Sequence, residues 1–115
     1  MQRLNIFEGL RKIREFERQQ LSFLRSIVDF DLVIEIGYAQ EQGQPLTLKQ
    51  LLLVDISSRS TVRRQLSRLI DQGIVERRKH ASDNRATLLT ISAACIKTFG
   101  KYGGALSSIS ALHFN

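Results

Sequence analysis

Arginine and hydroxyl side chains recur at helical spacing in the middle of this chain, within residues 59–72. If Val62 and Leu66 face a core, a rotation of about 100° per residue turns Arg64 and Ser67 to the opposite side of a helix. An arginine side chain presents N–H donors in a planar fork that matches guanine O6 and N7, or two phosphate oxygens. The chemistry that this pattern favours is recognition of a polyanion.

A second group of cations follows in two β-type runs, 74–78 and 86–91, which flank a charged tip, 79–85. Such runs around a polar tip predict a β-hairpin. The cations of the hairpin are Arg77, Arg78, Lys79 and Arg85. A charged helix face alone is often only a solvated face, but cations on a hairpin beside it would meet the phosphates along a DNA groove.

Local signals predict how these residues are positioned. Thr47 and Gln50 have the spacing of a capping box, which begins a short helix. A polar turn at 55–58 leads into the arginine-bearing helix, and Gly73 follows that helix as a glycine does at a helix end. Residues 46–92 are therefore expected to form a helix-turn-helix followed by a hairpin wing, with a short edge strand near Leu46 pairing with the wing.

The run STVRRQLSRLIDQGIVERR, followed by SDNRATLLTIS, resembles the DNA-binding core of the multiple-antibiotic-resistance regulator (MarR) family of bacterial transcription factors. The matching residues are Ser60, Thr61 and Val62, then Gly73, Ile74 and Val75, then Asp83 and Arg85. The resemblance implies that Arg85 reaches a minor groove while Asp83 orients it. It also implies a dimer in which the terminal helices of two chains interlock.

We expect a mainly α fold with a small β-hairpin wing, a winged helix-turn-helix with flanking N- and C-terminal helices. The predicted function is a sequence-specific transcriptional regulator, a homodimer with recognition helix 59–72 in the major groove and wing 76–87 at the minor groove. The predicted DNA-binding residues are Arg59, Ser60, Thr61, Arg63, Arg64, Ser67, Arg68, Arg77, Arg78, Lys79, Asp83 and Arg85. The alternative is a winged-helix protein-interaction or assembly module, because fold does not determine function.

The charge distribution supports the DNA-binding regulator over the protein-interaction module. Residues 1–45 carry 6 Lys/Arg and 7 Asp/Glu, whereas residues 46–85 carry 9 Lys/Arg and 4 Asp/Glu, a net charge of +5 within the +6 of the whole chain. A basic surface confined to one region suits a polyanion, since neutralised phosphates release their condensed counterions.

Composition limits the remaining possibilities. A chain of 115 residues is expected to form one domain, 1–115, and it has no apolar run or leader pattern that would direct it to or across a membrane, so a cytoplasmic location is predicted. His80 and His113 lie in the wing tip and the tail, and no catalytic or metal-binding arrangement is evident, so neither an enzyme nor a cofactor is predicted. Cys95 is interpreted as a buried apolar residue rather than a thiol sensor.

The N-terminal helix, expected from about Leu4 to Arg25 within a dimerisation segment 1–25, has an apolar side broader than a small domain would cover. Ser26 and Asp29 have the spacing of a second capping box, with Asp in place of Glu, and predict a second helix that ends near Gln40. Asp29, Asp31 and Glu35 resemble a carboxylate cluster, but without His or Cys at ligand spacing they are interpreted as a solvated face.

Ser92 is expected to cap a last helix within 93–115. Gly100, Gly103 and Gly104 each cost roughly 1 kcal/mol relative to Ala in a helix interior, which predicts fraying or a break near Gly103. The apolar segment after it is expected to be either a second short helix in a dimer interface or disordered.

Overall fold

The computed structural model describes residues 5–79 and 86–113. Its elements are α1 (Ile6–Gln20), α2 (Ile27–Glu41), α3 (Leu48–Leu53), α4 (Arg59–Asp71), β1 (Val75–Lys79), β2 (Thr87–Ile91) and α5 (Ala93–His113). The strands form a two-stranded antiparallel sheet. The predicted fold class, mainly helical with a hairpin wing, is confirmed.

The chain divides into two compact units. We call Leu24–Ala93 the winged-helix unit, and Met1–Phe23 with Ala94–Asn115 the flanking unit. The winged-helix unit contains α2, α3, α4 and the hairpin, while α1 and nearly all of α5 belong to the flanking unit.

The core of the winged-helix unit is apolar and includes residues from every one of its helices. Leu32 and Ile36 of α2, Leu51 of α3 and Leu69 of α4 are all 0 % exposed. Full burial of such a side chain stabilises the fold by about 1.5–3 kcal/mol. Of the apolar positions predicted for α4, Val62, Leu66 and Leu69 are buried and Ile70 is half-buried.

The ends of α3 and α4 follow the predicted local signals. The backbone N–H of Thr47 donates to Gln50 Oε1 at 2.9 Å, and the N–H of Gln50 donates to Thr47 Oγ1 at 3.2 Å, which completes the capping box. Ser58 caps α4 by accepting the Thr61 N–H at 3.2 Å. Gly73, at φ +74°, takes the left-handed conformation that ends the helix.

The hairpin is joined to the start of α3 through its second strand. Val75 pairs with Ile91 and Arg77 with Leu89 in the antiparallel register. On the other edge of β2, the Leu89 N–H donates to the Leu46 carbonyl at 2.8 Å, and Thr47 forms a bridge with Leu88. The predicted pairing of the segment near Leu46 with the wing is confirmed, and it consists of this one bridge with its hydrogen bond.

The interpretation of Asp29 as part of a solvated face is wrong, because its side chain is 0 % exposed. Ser26 caps α2 as predicted, accepting the Asp29 N–H at 3.3 Å. The Asp29 carboxylate, however, turns to the backbone N–H of Arg25, at 2.7 Å, and to the guanidinium of Arg68 in α4. The buried carboxylate therefore has two donors, one a backbone N–H four positions earlier and the other a cation 39 positions away in sequence. Asp31 is exposed as expected.

An aromatic contact joins the two helices of the flanking unit. The rings of Phe16 and Tyr102 stack with centroids 5.5 Å apart, and Phe99 meets Tyr102 edge-on. The Tyr102 hydroxyl donates to Glu17 at 2.6 Å. Burial, followed by the hydrogen bond to Glu17, raises the pKa of Tyr102 to about 12, so this hydroxyl remains a donor throughout the neutral range.

The expected break near Gly103 is wrong, since α5 is one continuous helix from Ala93 to His113. The cost of glycine is a local propensity that tertiary packing can override, and the stack of Tyr102 on Phe16 supplies such packing next to the glycines. The first helix is also shorter than predicted: it ends at Gln20, whereas the predicted helix ends at Arg25.

Replacing Gly103 with Ala should stabilise the chain. A Cβ at Gly103 would meet no atom within 4 Å, and its φ lies outside the left-handed region. Ala would therefore restrict the unfolded chain without strain, and we expect Gly103→Ala to raise the free energy of unfolding by about 0.4–1 kcal/mol in urea titrations.

The matched control is Gly73→Ala, where the same methyl group is added at φ +74°. That variant should be destabilised, because an L-residue is strained in this conformation. A loss of stability in Gly103→Ala at the same protein concentration would contradict the open, continuous helix described for α5.

Candidate nucleic-acid interface

The outward side of α4 is polar and basic, as the spacing predicted. The exposed members of the predicted set on this helix are Arg59, Ser60, Arg63, Arg64 and Ser67. They are directed outward because the opposite stripe, Val62 and Leu66, is buried in the core. A row of N–H donors and hydroxyls on one exposed helix face can bind phosphates or base edges.

Hydroxyl groups cluster at the first turn of α4. The Ser58 hydroxyl donates to Thr61 Oγ1 at 2.9 Å and lies 3.4 Å from Ser60 Oγ. Thr61, predicted as a DNA contact, is half-buried and takes part in the cap through both its N–H and its hydroxyl. It therefore helps to fix the start of the helix, while Ser60 is the more exposed of the two.

The described part of the wing adds three exposed cations, Arg77, Arg78 and Lys79, all on β1. Arg78 forms an exposed ion pair with Glu76 at 3.5 Å, an arrangement that contributes little to stability in water. Asp83 and Arg85, the residues for which the resemblance implied a minor-groove role, lie outside the described residues.

A groove of about 730 Å³ runs between α4, the start of α3 and the hairpin. Its cations come from three different elements, Lys49 of α3, Arg63 of α4 and Arg77 of β1, and Ser67 lies among them. Lys49 was not predicted from the sequence. The available signal was its position inside the capping box, between Thr47 and Gln50, next to the segment predicted to pair with the wing.

Arg68 is placed differently from the other arginines of α4. Its guanidinium binds Asp29 of α2, donates from Nη1 to Gln72 Oε1 at 3.1 Å, and donates from Nε to Gln65 Oε1 at 3.5 Å. The Arg68 side chain is 19 % exposed. It therefore lies on the side of α4 that packs against α2, beside the exposed row and not within it.

The base of the hairpin is also attached to α2. The Ile91 N–H donates to the side-chain carbonyl of Gln40 at 2.7 Å, and the Ser92 N–H donates to the Ile74 carbonyl at 2.9 Å. Helix α2 thus makes one polar contact with α4, through Asp29, and another with β2, through Gln40. Neither contact was predicted from the sequence.

Cys95 is buried, as interpreted from the sequence, and burial raises the pKa of its thiol to about 11. Such a thiol is neutral at physiological pH and is a poor nucleophile. Among the described residues, no three His, Cys, Asp or Glu side chains are grouped to hold a metal ion. Within the same residues, every helix is too short or too polar to cross a bilayer.

No protein-family model matches the sequence, and no curated protein matches it. Solved structures do match. The S. aureus MepR–DNA complex is 17 % identical with a TM-score of 0.71, over 89 % of this chain and 75 % of that chain. A mutant of MarR from E. coli complexed with operator DNA is 21 % identical with a TM-score of 0.58, over 94 % and 74 %.

The transcriptional regulator Tm0710 from Thermotoga maritima is also similar, with 21 % identity and a TM-score of 0.64 over 90 % of this chain and 70 % of that chain. At these identities the likeness shows the fold. The chain therefore has a MarR-like winged helix-turn-helix fold, as the sequence resemblance predicted.

The contact between Gln40 and Ile91 can be tested directly. Gln40→Leu keeps the side-chain volume but leaves the Ile91 N–H without its acceptor, which should lower the free energy of unfolding by about 1–3 kcal/mol. Amide hydrogen exchange at Ile91 should accelerate accordingly. Gln40→Glu retains an oxygen at the same position and should protect the Ile91 amide; equal protection in both variants would contradict the contact.

Proposed function

We propose that this chain is a sequence-specific DNA-binding transcriptional regulator that works as a homodimer. In this proposal α4 enters the major groove and the wing, 76–87, lies at the minor groove. The observation that carries it is the exposed row of arginines and hydroxyls on α4, beside a groove with cations from α3, α4 and β1.

The dimensions and the chemistry of this surface suit duplex DNA. An α-helix with its side chains is about 10–12 Å across, and the major groove of B-DNA is about 12 Å wide. Arg64, exposed and on the side opposite Val62, is the residue that we assign to a base edge. An arginine in this position can donate two hydrogen bonds to guanine.

The groove between α4 and the wing suits the sugar-phosphate backbone. Lys49, Arg63 and Arg77 surround it with positive charge, and Ser67 adds a hydroxyl donor. A phosphodiester strand lying between the major and minor grooves would meet all three cations. Asp83 and Arg85 keep the minor-groove role that the sequence resemblance implies.

The matching structures supply independent support. MepR and MarR, the two proteins crystallised with DNA, have the same winged-helix fold as this chain. That role comes to this chain as a proposal, because fold alone does not fix function. The proposed role is binding and regulation rather than catalysis.

The homodimer is proposed from the exposed apolar face of α1. Ile6 is 44 % exposed, Phe7 84 % and Leu10 45 %. These three residues lie within one helical turn of one another, so they form a contiguous apolar patch. A second copy of the chain would cover this patch and place two recognition helices to read two half-sites about one helical turn apart.

The alternative function, a protein-interaction or assembly module, predicts an apolar exposed face on α4. The exposed positions of that face are instead arginines and serines, with one carboxylate, Asp71, at the end of the helix. Guanidinium groups and hydroxyls favour a phosphate-bearing partner over an apolar protein surface.

Arg64→Ala tests the base-reading role. Loss of a bidentate contact to guanine should weaken binding to a selected duplex by about 1–3 kcal/mol and relax the preference at one base position. Fluorescence anisotropy with selected and random duplexes measures both effects. Arg18→Ala, which removes an exposed arginine from α1, is the control for net charge; equal losses on both duplexes for Arg64→Ala would argue against base reading.

Phe7→Glu tests the dimer. A carboxylate in the middle of the proposed interface should convert the protein to a monomer, while the fold is retained because Phe7 is 84 % exposed in the single chain. Light scattering reports the mass, and circular dichroism reports the fold. Gln19→Glu introduces the same carboxylate at an exposed position near the other end of the helix as the control. An unchanged dimer in Phe7→Glu would exclude this patch as the interface.

A further inference from the structure

We infer that Asp29 is a positioning residue for the recognition of DNA bases. By binding Arg68, the buried Asp29 carboxylate of α2 sets the rotation of α4 about its own axis. This rotation determines the direction in which Arg64 points. This inference rests on the proposed function and deepens it. It assigns a role to a residue that lies behind the DNA-facing surface.

The carboxylate is held through one of its two oxygens, while the other, Oδ1, is buried and accepts no hydrogen bond from the described residues. Asp29 is 0 % exposed, and its Oδ2 accepts the Arg25 N–H at 2.7 Å as well as the Arg68 guanidinium. It also lies in the first turn of α2, where the unpaired N–H groups of the helix carry partial positive charge. This anchor therefore has a fixed position within the winged-helix unit.

The arginine end of the contact is equally constrained. Arg68 donates to Gln65 of its own helix and to Gln72, the residue that follows the helix, in addition to its bond to Asp29. A guanidinium is a planar fork whose donors point in defined directions, so the contact specifies orientation as well as distance. The apolar stripe of α4 is less directional, since dispersion and the hydrophobic effect tolerate small rotations.

Small rotations matter for base reading. Arg64 precedes Arg68 by one turn, so both residues turn together with α4. For side chains about 6 Å from the axis, a rotation of about 20° moves their ends by about 2 Å. Hydrogen bonds to a base edge operate over a range of roughly 0.5 Å, so such a movement would abolish them. Contacts with phosphates from flexible side chains would largely survive.

Helix α2 carries a second contact of the same type at its other end. Gln40 accepts the Ile91 N–H of β2 at 2.7 Å and lies 11 residues after Asp29, a distance of about 16 Å along the helix. The two contacts attach the recognition helix and the wing to one rigid element. Their relative placement, which must match the spacing of the DNA grooves, thus depends on α2.

Net stability alone gives little reason for a buried ion pair at this position. Apolar residues of similar volume often replace such a pair at no cost or with a gain in stability. This property separates a positioning role from a merely structural one. The double variant Asp29→Leu with Arg68→Met should still fold, although the Arg25 N–H loses its acceptor, and it should lose the directional contact.

The experiment compares duplex preference. A duplex is first selected from a random pool with the wild-type protein. The Kd for the selected duplex and for random duplex is then measured for wild type, Asp29→Asn and the double variant. Urea unfolding of each protein measures its stability. Asp29→Asn keeps the Arg68 cation, which controls for direct phosphate contact by Arg68. Asp31→Asn removes an exposed carboxylate two residues later and controls for net charge.

We expect both Asp29 variants to lose about tenfold or more of the preference for the selected duplex, with Kd on random duplex changed by less than about threefold and Asp31→Asn unchanged. An intact preference in the folded double variant would overturn the inference, as would equal losses on both duplexes in Asp29→Asn. If wild type bound neither duplex, the proposed function itself would fail and this inference with it.

Discussion

The burial of one apolar stripe on α4 is the constraint on which the rest of the arrangement depends. Val62, Leu66 and Leu69 are the residues of α4 that are buried in the core, and their side chains are apolar. When that stripe is buried, helical geometry places Arg64 on the opposite, exposed side of α4. The hydrophobic effect thus decides which face of the helix is available to a polyanion, and the arginines require no further interaction to reach it.

Polar contacts add directional constraints on α4 and the wing to the non-directional contacts of the apolar core. The buried stripe fixes the face of α4 through contacts that are not directional, whereas the bond from Asp29 to Arg68 is directional and part-buried. The bond from Gln40 to Ile91 has the same character at the base of the wing. In the proposed account, burial of the core supplies most of the stability, and the two contacts of α2 would align the elements that are proposed to contact DNA.

The structural features that could be predicted best from the sequence are those controlled by local interactions. The capping box at Thr47 and the turn at Gly73 depend on neighbours within a few positions, so their signals are complete in the sequence itself. The pairing of the buried Asp29 with a cation 39 positions away left no local pattern. The break expected near Gly103 is absent for a related reason: helix propensity is a local property, whereas the stack of Tyr102 on Phe16 is a tertiary contact.

The most direct test of the central claim, that α4 reads the major groove, is methylation interference on a selected duplex. Dimethyl sulfate methylates guanine at N7, in the major groove, and adenine at N3, in the minor groove. If α4 reads the major groove, N7 methylation should block binding at guanines in two half-sites whose centres are about 10 base pairs apart. Binding that tolerated every N7 methyl group, or that was blocked only by adenine N3 methylation, would contradict this claim.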